Sequence, residues 1–238
     1  FTDGEKHFYR GILKELAEFE AARGRTLQLG GVKSEVEKLL AKLGLEGTCF
    51  TNEDLYDYCY SREIFATLAG RPMAKKRNFC RRFERNHPEA KFVYFEKSPD
   101  DKTLERWKTF LAEWYDANQP LDETLFFERK FLDVVLCRWD ECGVTGGMLV
   151  EGDEIFGLTL GALVTPDTYA VHIEKSRRDV EGGYPYLAHS LAKALPETVK
   201  VLNREEDLGV PGLRKAKHDW FPLYQLEKGV YEIAPFEP

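Results

Sequence analysis

The residues best equipped for chemistry fall in two stretches of the C-terminal half. One is His172-Ile173-Glu174-Lys175. The other is Asn203-Arg204-Glu205-Glu206-Asp207, followed by a Leu-Gly-Val-Pro-Gly turn and the bases Arg214, Lys215 and Lys217. An apolar run at 199–202 leads into the second stretch, so its acids stand at the C-terminal end of a strand and its bases beyond a turn, where α/β folds keep their sites. Alternation along a strand puts His172 and Glu174 on one face and Ile173 and Lys175 on the other. Acyl transfer needs a group that takes the nucleophile's proton and donors for a developing oxyanion. Glu174, Glu205 or Asp207 can act as base, Asn203 and His172 can donate or orient, and Arg214, Lys215 and Lys217 can hold a phosphate or carboxylate. The same residues also fit a solvated loop whose ion pairs contribute little, with Glu174 pairing to Arg214 or Lys217. His189, beside Leu187 and Leu191, reads as structural, and no His/Cys/carboxylate spacing suggests a metal site.

Charge patterning singles out a further group. Lys75, Lys76, Arg77, Arg81, Arg82 and Arg85 share one helical stretch with a single acid, Glu84, while Phe79 and Phe83 lie four apart and anchor one face. The stretch reads either as a solvated helix or as a phosphate-facing patch for a tRNA acceptor stem, a lipid headgroup or a cofactor. The chain as a whole carries 34 basic and 41 acidic residues, a net charge of −7, which excludes wholesale wrapping of nucleic acid and leaves room for a local patch. Its five cysteines form no CxxC pair and leave an odd one over, which favours a reducing compartment and a cytoplasmic location. No run of about 18 apolar residues is present, so no transmembrane anchor is expected. No secretory signal pattern is visible, and the start at Phe1 reads as a cut through a domain.

Stepping along the chain, hydrophobic periodicity predicts a helix over 4–23 through Phe8, Ile12, Leu13, Leu16 and Phe19, a strand over 26–32, a helix over 34–43 capped by Ser34, and one or two short strands within 48–60. Residues 61–87 read as two helices parted by Gly70-Arg71-Pro72. From 91 the expected order is a strand to Phe95, helices over 101–118 and 122–141, three strands over 145–150, 155–164 and 169–175, a helix over 184–195, the strand into Asn203, a helix over 211–218 and a last strand over 221–227. The 43% hydrophobic content can fill a core in one large domain or two ordinary ones.

That order resembles the GNAT acyltransferase fold: strand, two helices, a three-strand antiparallel meander, helix, strand, helix, strand. There the fourth strand leads to a helix N-terminus that holds an acyl carrier's pyrophosphate. The matching loop here, 174–184, has bases such as Arg177 and the pair Gly182-Gly183. It is longer than the GNAT motif and includes Asp179 and Glu181, a departure that argues against acetyl-CoA. The phrases HIEKS (172–176), EGGYPYL (181–187) and the ungapped NREEDLGVPGLRKAK (203–217), with Tyr60-Ser61-Arg62 and Lys76-Arg77-Asn78 upstream and Phe221-Pro222-Leu223 near the end, resemble the phosphatidylglycerol lysyltransferase C-terminal domain family over nearly the whole chain. The resemblance implies an α+β chain of two GNAT-like units with mixed, mostly antiparallel sheets. The first would occupy 1–60 and lack its first strands, 61–90 would be a basic helical connector, and 91–238 a complete second unit. It implies an aminoacyl or acyl transferase with aminoacyl-tRNA or acyl-CoA as donor and no certain cofactor. The acceptor would be a small molecule or lipid headgroup, with Arg177, Gly182 and Gly183 at the substrate and Lys75, Lys76, Arg77 and Arg81 at tRNA or phosphate. The alternatives are a catalytically silent GNAT-like module that binds a polar ligand or tRNA, and an acetyl-CoA-dependent N-acetyltransferase.

Overall fold

The computed structural model describes residues 3–118 and 123–234 and divides into two compact units. The first comprises residues 1–58, 206–219 and 224–238; the second comprises 59–205 and 220–223. The C-terminal segments join the first unit rather than the second, and residues 61–90 belong to the second unit instead of standing alone.

In the first unit, helix α1 (Asp3–Ala21), strand β1 (Gln28–Val32), helix α2 (Ser34–Lys42) and strand β2 (Gly47–Thr51) follow the expected order. The cap of α2 is Lys33, one residue before the expected Ser34. A 3₁₀ turn at Glu53–Leu55 leads to strand β3 (Asp57–Ser61), which enters the second unit after Tyr58. Later in the chain come α8 (Pro211–His218), β9 (Tyr224–Leu226) and β10 (Gly229–Ile233). Strand β9 starts later than its apolar pattern suggests, because Phe221 takes a left-handed backbone (φ 55°) and Pro222 has no N–H to offer a ladder. Strand β10 was not expected, yet it lies between β1 and β2 and pairs antiparallel with both. Its Tyr231 and Ile233 complete a core of Val32, Leu40, Leu43 and Leu45, which is why the C-terminal segment belongs here. Of the five apolar residues that predict α1, only Leu13 packs against this core; Phe8 and Phe19 remain more than half exposed.

The second unit holds α3 (Arg62–Thr67), α4 (Ala74–Asn86), β4 (Lys91–Phe95), α5 (Asp101–Asp116), α6 (Glu123–Cys137), β5 (Thr145–Glu151), β6 (Glu154–Thr165), β7 (Thr168–Ser176), α7 (Gly183–Ala194) and β8 (Val201–Asn203). The expected start of α6 at 122 lies outside the described residues. Six strands run in the order β4-β5-β6-β7-β8-β3, antiparallel except for the β7–β8 pair. Helices α5 and α6 and the turn after α6 cover one face, packing Trp107, Leu111, Leu132 and Trp139 with Leu158, Leu160 and Ile173. Each such side chain contributes about 1.5–3 kcal/mol when fully buried. On the other face Phe83 of α4 and Leu187 of α7 meet Leu149 and Phe156. Among the described residues no helix is long and apolar enough to cross a membrane.

Two irregularities in this sheet shape the site. Strands β7 and β8 pair through Thr168–Val201, Tyr169–Leu202 and Ala170–Asn203, where the ladder ends although β7 continues to Ser176. Between β6 and β7 the register shifts: Leu160 faces Ile173 but Gly161 faces Val171, so His172 is an extra residue at a bulge. Bulges of this kind re-aim a side chain and are common beside active sites.

Candidate functional site

Beyond Ala170 and Asn203, β7 and the chain leaving β8 are bridged by side chains. His172 Nδ1 lies 2.7 Å from Glu205 Oε1, and Arg204 Nη2 donates to Glu174 Oε1 at 2.6 Å. The partner of Glu174 is therefore Arg204 rather than Arg214 or Lys217. The turn that permits both contacts is local. The buried Asn203 accepts the backbone N–H of Glu205 on its Oδ1 at 2.8 Å, and Glu205 sits in a left-handed conformation at φ 58°. Asn-led turns of this type return the chain sharply and tolerate such backbone angles. With Nδ1–H donating to Glu205, His172 keeps the Nε2 lone pair for a proton, the arrangement of a histidine base oriented by a carboxylate. The His172–Glu205 pair is about a third exposed, whereas Glu174 and Arg204 are 11% and 16% exposed.

Alternation along β7 holds through the bulge: Ile173 joins the α5/α6 core and Lys175 lies on that same side. Lys175 is buried against Glu128 at 2.8 Å and over the Trp114 ring at 4.3 Å, and Tyr115 donates to the same carboxylate at 2.6 Å. His189 Nδ1 sits 2.7 Å from the carbonyl of Phe65, and burial holds its pKa below the ordinary histidine value.

The loop after β7 opens a pocket of about 260 Å³ at the N-terminus of α7, lined by Phe79, Arg177, Arg178, Val180, Glu181 and the Gly182-Gly183 pair, among others. Its charges are largely committed. Arg177 pairs with Glu154 and, at 2.7 Å, with Asp179, whose carboxyl it holds below the usual range; Arg82 pairs with Glu181. The two glycines serve packing. Gly182 caps α7 at φ 84° with the Phe79 carbonyl 2.5 Å from where a Cβ would stand, and a Cβ on Gly183 would meet the Ser176 hydroxyl at 2.4 Å. Of the bases on α4, Arg77 donates to the carbonyls of Leu68 and Gly70, and Lys76 lies over the Trp220 ring at 4.6 Å. Lys75 and Arg81 are exposed.

The rest of the 203–217 motif belongs to the first unit. Asp207 is fully buried and accepts from Tyr58 Oη at 2.6 Å, from Arg214 Nε at 2.7 Å and from the Gly209 N–H at 2.9 Å. Arg214, which also pairs with Asp54, is the main reason that its carboxyl stays far below the carboxylate range. An anion so completely bound is a poor base, and Arg214 is likewise spent on protein carboxylates rather than on a ligand. Lys217 is buried near the Tyr58 ring at 5.7 Å, and Lys215 pairs with Asp219 at 3.1 Å.

Sequence reasoning passed over Arg204 although it stands inside the motif, and it passed over the rings around it. The guanidinium lies 5.6–5.7 Å from the centroids of Tyr60, Phe65 and Trp220. Only Tyr60 carried a signal, in Tyr60-Ser61-Arg62; Phe65 and Trp220 are distant in sequence and converge through the fold.

Similar folds occur among solved structures. A conserved protein of unknown function from Bacteroides thetaiotaomicron is 30% identical, with a TM-score of 0.83 over 94% of this chain and 75% of that one. L-PGS from Bacillus licheniformis is 14% identical, with a TM-score of 0.64 over 95% of this chain and 73% of that one. A tandem GNAT protein from the clavulanic acid biosynthesis pathway is 10% identical, with a TM-score of 0.50 over 96% of this chain and 70% of that one; it shares the fold alone. No curated protein matches. The family model described as phosphatidylglycerol lysyltransferase, C-terminal, matches residues 4–228, and the chain belongs to that family.

Proposed function

We propose that this chain is an aminoacyl or acyl transferase whose transfer site is the opening between β7 and β8. The observation that carries the reading is the end of the β7–β8 ladder at Ala170–Asn203 with His172, oriented by Glu205, immediately beyond it. In the step this geometry suits, an acceptor hydroxyl or amine gives its proton to His172 Nε2 as its oxygen or nitrogen bonds to the carbonyl carbon of the donor ester. The bond from that carbon to the donor oxygen then breaks, and the proton passes from His172 to the departing oxygen. Glu174, neutralised by Arg204, is less suited to the base role than the Glu205–His172 pair.

The family description favours an aminoacyl ester such as aminoacyl-tRNA as donor and a lipid headgroup or small polar molecule as acceptor. Lys75, Arg81 and Arg85 are exposed α4 bases that can meet donor phosphates. The incomplete GNAT-like character of the first unit is part of the same proposal. The committed charges around the Gly182-Gly183 pocket disfavour an acyl-CoA pyrophosphate there. A silent binding module is the second reading, favoured by the two ion pairs that bridge the opening.

Calorimetric titration with charged tRNA, uncharged tRNA and acetyl-CoA, followed by transfer of a labelled aminoacyl group into lipid and amine acceptors, separates these readings. Binding of charged tRNA with label transfer is the expected result. Binding without transfer to any acceptor supports the silent module, binding of acetyl-CoA alone supports an acetyltransferase, and no binding at all overturns the proposal.

A further inference from the structure

Near the end of the β7–β8 ladder, three aromatic rings and a carboxylate surround one of the chain's own cations, Arg204. Phe65 and Trp220 stack with centroids 4.2 Å apart and 21° between their planes, and Tyr60 lies 5.2 Å from Phe65. The Arg204 guanidinium lies within 5.7 Å of all three rings, and Glu174 holds it from another side at 2.6 Å. Aromatic rings together with a carboxylate are the surroundings that favour organic cations. A second observation points to a ligand. Thr159 stands directly across the β6–β7 ladder from Glu174, so its side chain shares that face. It is wholly buried, and its hydroxyl has no hydrogen-bond partner among the described residues. Buried polar groups in native interiors are almost always paired, so a hydroxyl left over beside Glu174 marks a polar group that this pocket lacks while Arg204 fills it.

We propose that the ring cage, Glu174 and Thr159 form a binding site for a small organic cation, a guanidinium or primary ammonium group, and that Arg204 is its internal competitor. The inference rests on reading the β7–β8 opening as ligand-receiving. Arg204 holds the site closed at rest and leaves when the ligand's cation takes its place. Glu205, one residue on and already in a left-handed conformation held by Asn203, is where the chain turns as it leaves. A competitor that fills a site most of the time weakens apparent affinity by the fraction of time that the site is open.

Ethylguanidinium and ethylammonium titrated calorimetrically onto the wild type, Arg204→Ala, Glu174→Gln and the double variant test this directly. The wild type is expected to bind weakly but saturably, Arg204→Ala at least about tenfold more tightly, and both variants lacking Glu174 to lose binding. Saturable binding to Arg204→Ala alone would make Arg204 a permanent plug and overturn the proposal. So would binding that survives loss of Glu174, or no binding anywhere. Should Arg204→Ala not fold, the wild type and Glu174→Gln still decide: saturable binding in the first and its loss in the second supports the site, and any other result removes it. Neither probe is a transfer donor. Probe binding without transfer therefore sinks only the transferase reading, and transfer without probe binding sinks only the cation site and its competitor.

Discussion

Arg204 and Arg214 stand ten residues apart in one ungapped motif, and each guanidinium meets carboxylates, but their surroundings differ in kind. Around Arg214 every strong group is answered. Asp207 receives the guanidinium, a phenol and a backbone N–H, and Asp54 takes a further guanidinium contact. Around Arg204 the accounts stay open. One carboxylate faces three aromatic rings, a buried hydroxyl nearby has no partner, and the adjacent histidine–glutamate pair is partly exposed. Fully satisfied buried networks fix a structure, whereas a buried hydroxyl left without a partner, as at Thr159, is a place where a ligand can supply one. The motif thus serves two units: its first three residues line a candidate site in one, and its remainder pins a loop and helix in the other.

The sharpest way to break this contrast is to remove His172. His172→Ala is expected to lower aminoacyl transfer by about 10²–10⁴-fold, the usual span for a lost general base. Stability should move by less than about 1 kcal/mol, because the Glu205 pair is partly solvated. A transfer rate in His172→Ala within a few-fold of wild type would remove the histidine from the chemistry and leave its pair with Glu205 structural.

Asp207 should show the reverse profile. Asp207→Ala removes the buried carboxylate that accepts from both Tyr58 and Arg214, leaving His218 Nε2 at 3.3 Å as a weaker partner for the Tyr58 hydroxyl. It is expected to cost about 2–3 kcal/mol in urea unfolding, with unfolding rather than turnover as the primary defect. The pH dependence has a definite sign. Arg214 depresses the folded-state pKa of Asp207 below the unfolded value of about 3.9. The stabilisation is therefore fully present above about pH 5 and is lost as the pH falls below about 4 toward the folded-state pKa. The stability gap between wild type and Asp207→Ala should be constant from pH 7 to 5 and shrink at pH 3. A gap unchanged at pH 3 would mean that the carboxylate charge contributes nothing.

How far these roles could be read in advance follows from the range of the interactions. The elements came from local patterns: Leu104, Trp107 and Leu111 mark α5 at helical spacing, and the alternation of His172, Ile173 and Glu174 survives the bulge because both neighbours hold their faces. Strand β10 was missed because five residues carry too little pattern, and its pairing with β1 reaches across about two hundred positions, from Gln28 to Glu232. The apolar period of α1 marked the helix correctly but not its burial. Within the motif, charge alone could not rank six candidates. Whether Asp207 or Glu205 is the available carboxylate depends on Tyr58 and His172, residues far from it in sequence. The cage of Tyr60, Phe65 and Trp220 is of the same non-local kind.

The smallest effects should come from α4, where the same division applies on a surface. Arg77 is bound to the carbonyls of Leu68 and Gly70, so Arg77→Ala should cost about 1 kcal/mol of stability and leave the salt dependence of tRNA binding unchanged. Lys75 and Arg81 face solvent, so the Lys75→Ala/Arg81→Ala double variant should keep its melting temperature within about 2 °C and weaken tRNA binding only a few-fold. Its signature is the slope of log K against log salt, expected to fall by about 1–2 units as up to two phosphate contacts are lost. Affinity measured at several salt concentrations therefore separates a phosphate contact from a structural arginine where a single Kd would not. An unchanged slope in the double variant would mean that Lys75 and Arg81 take no part in binding.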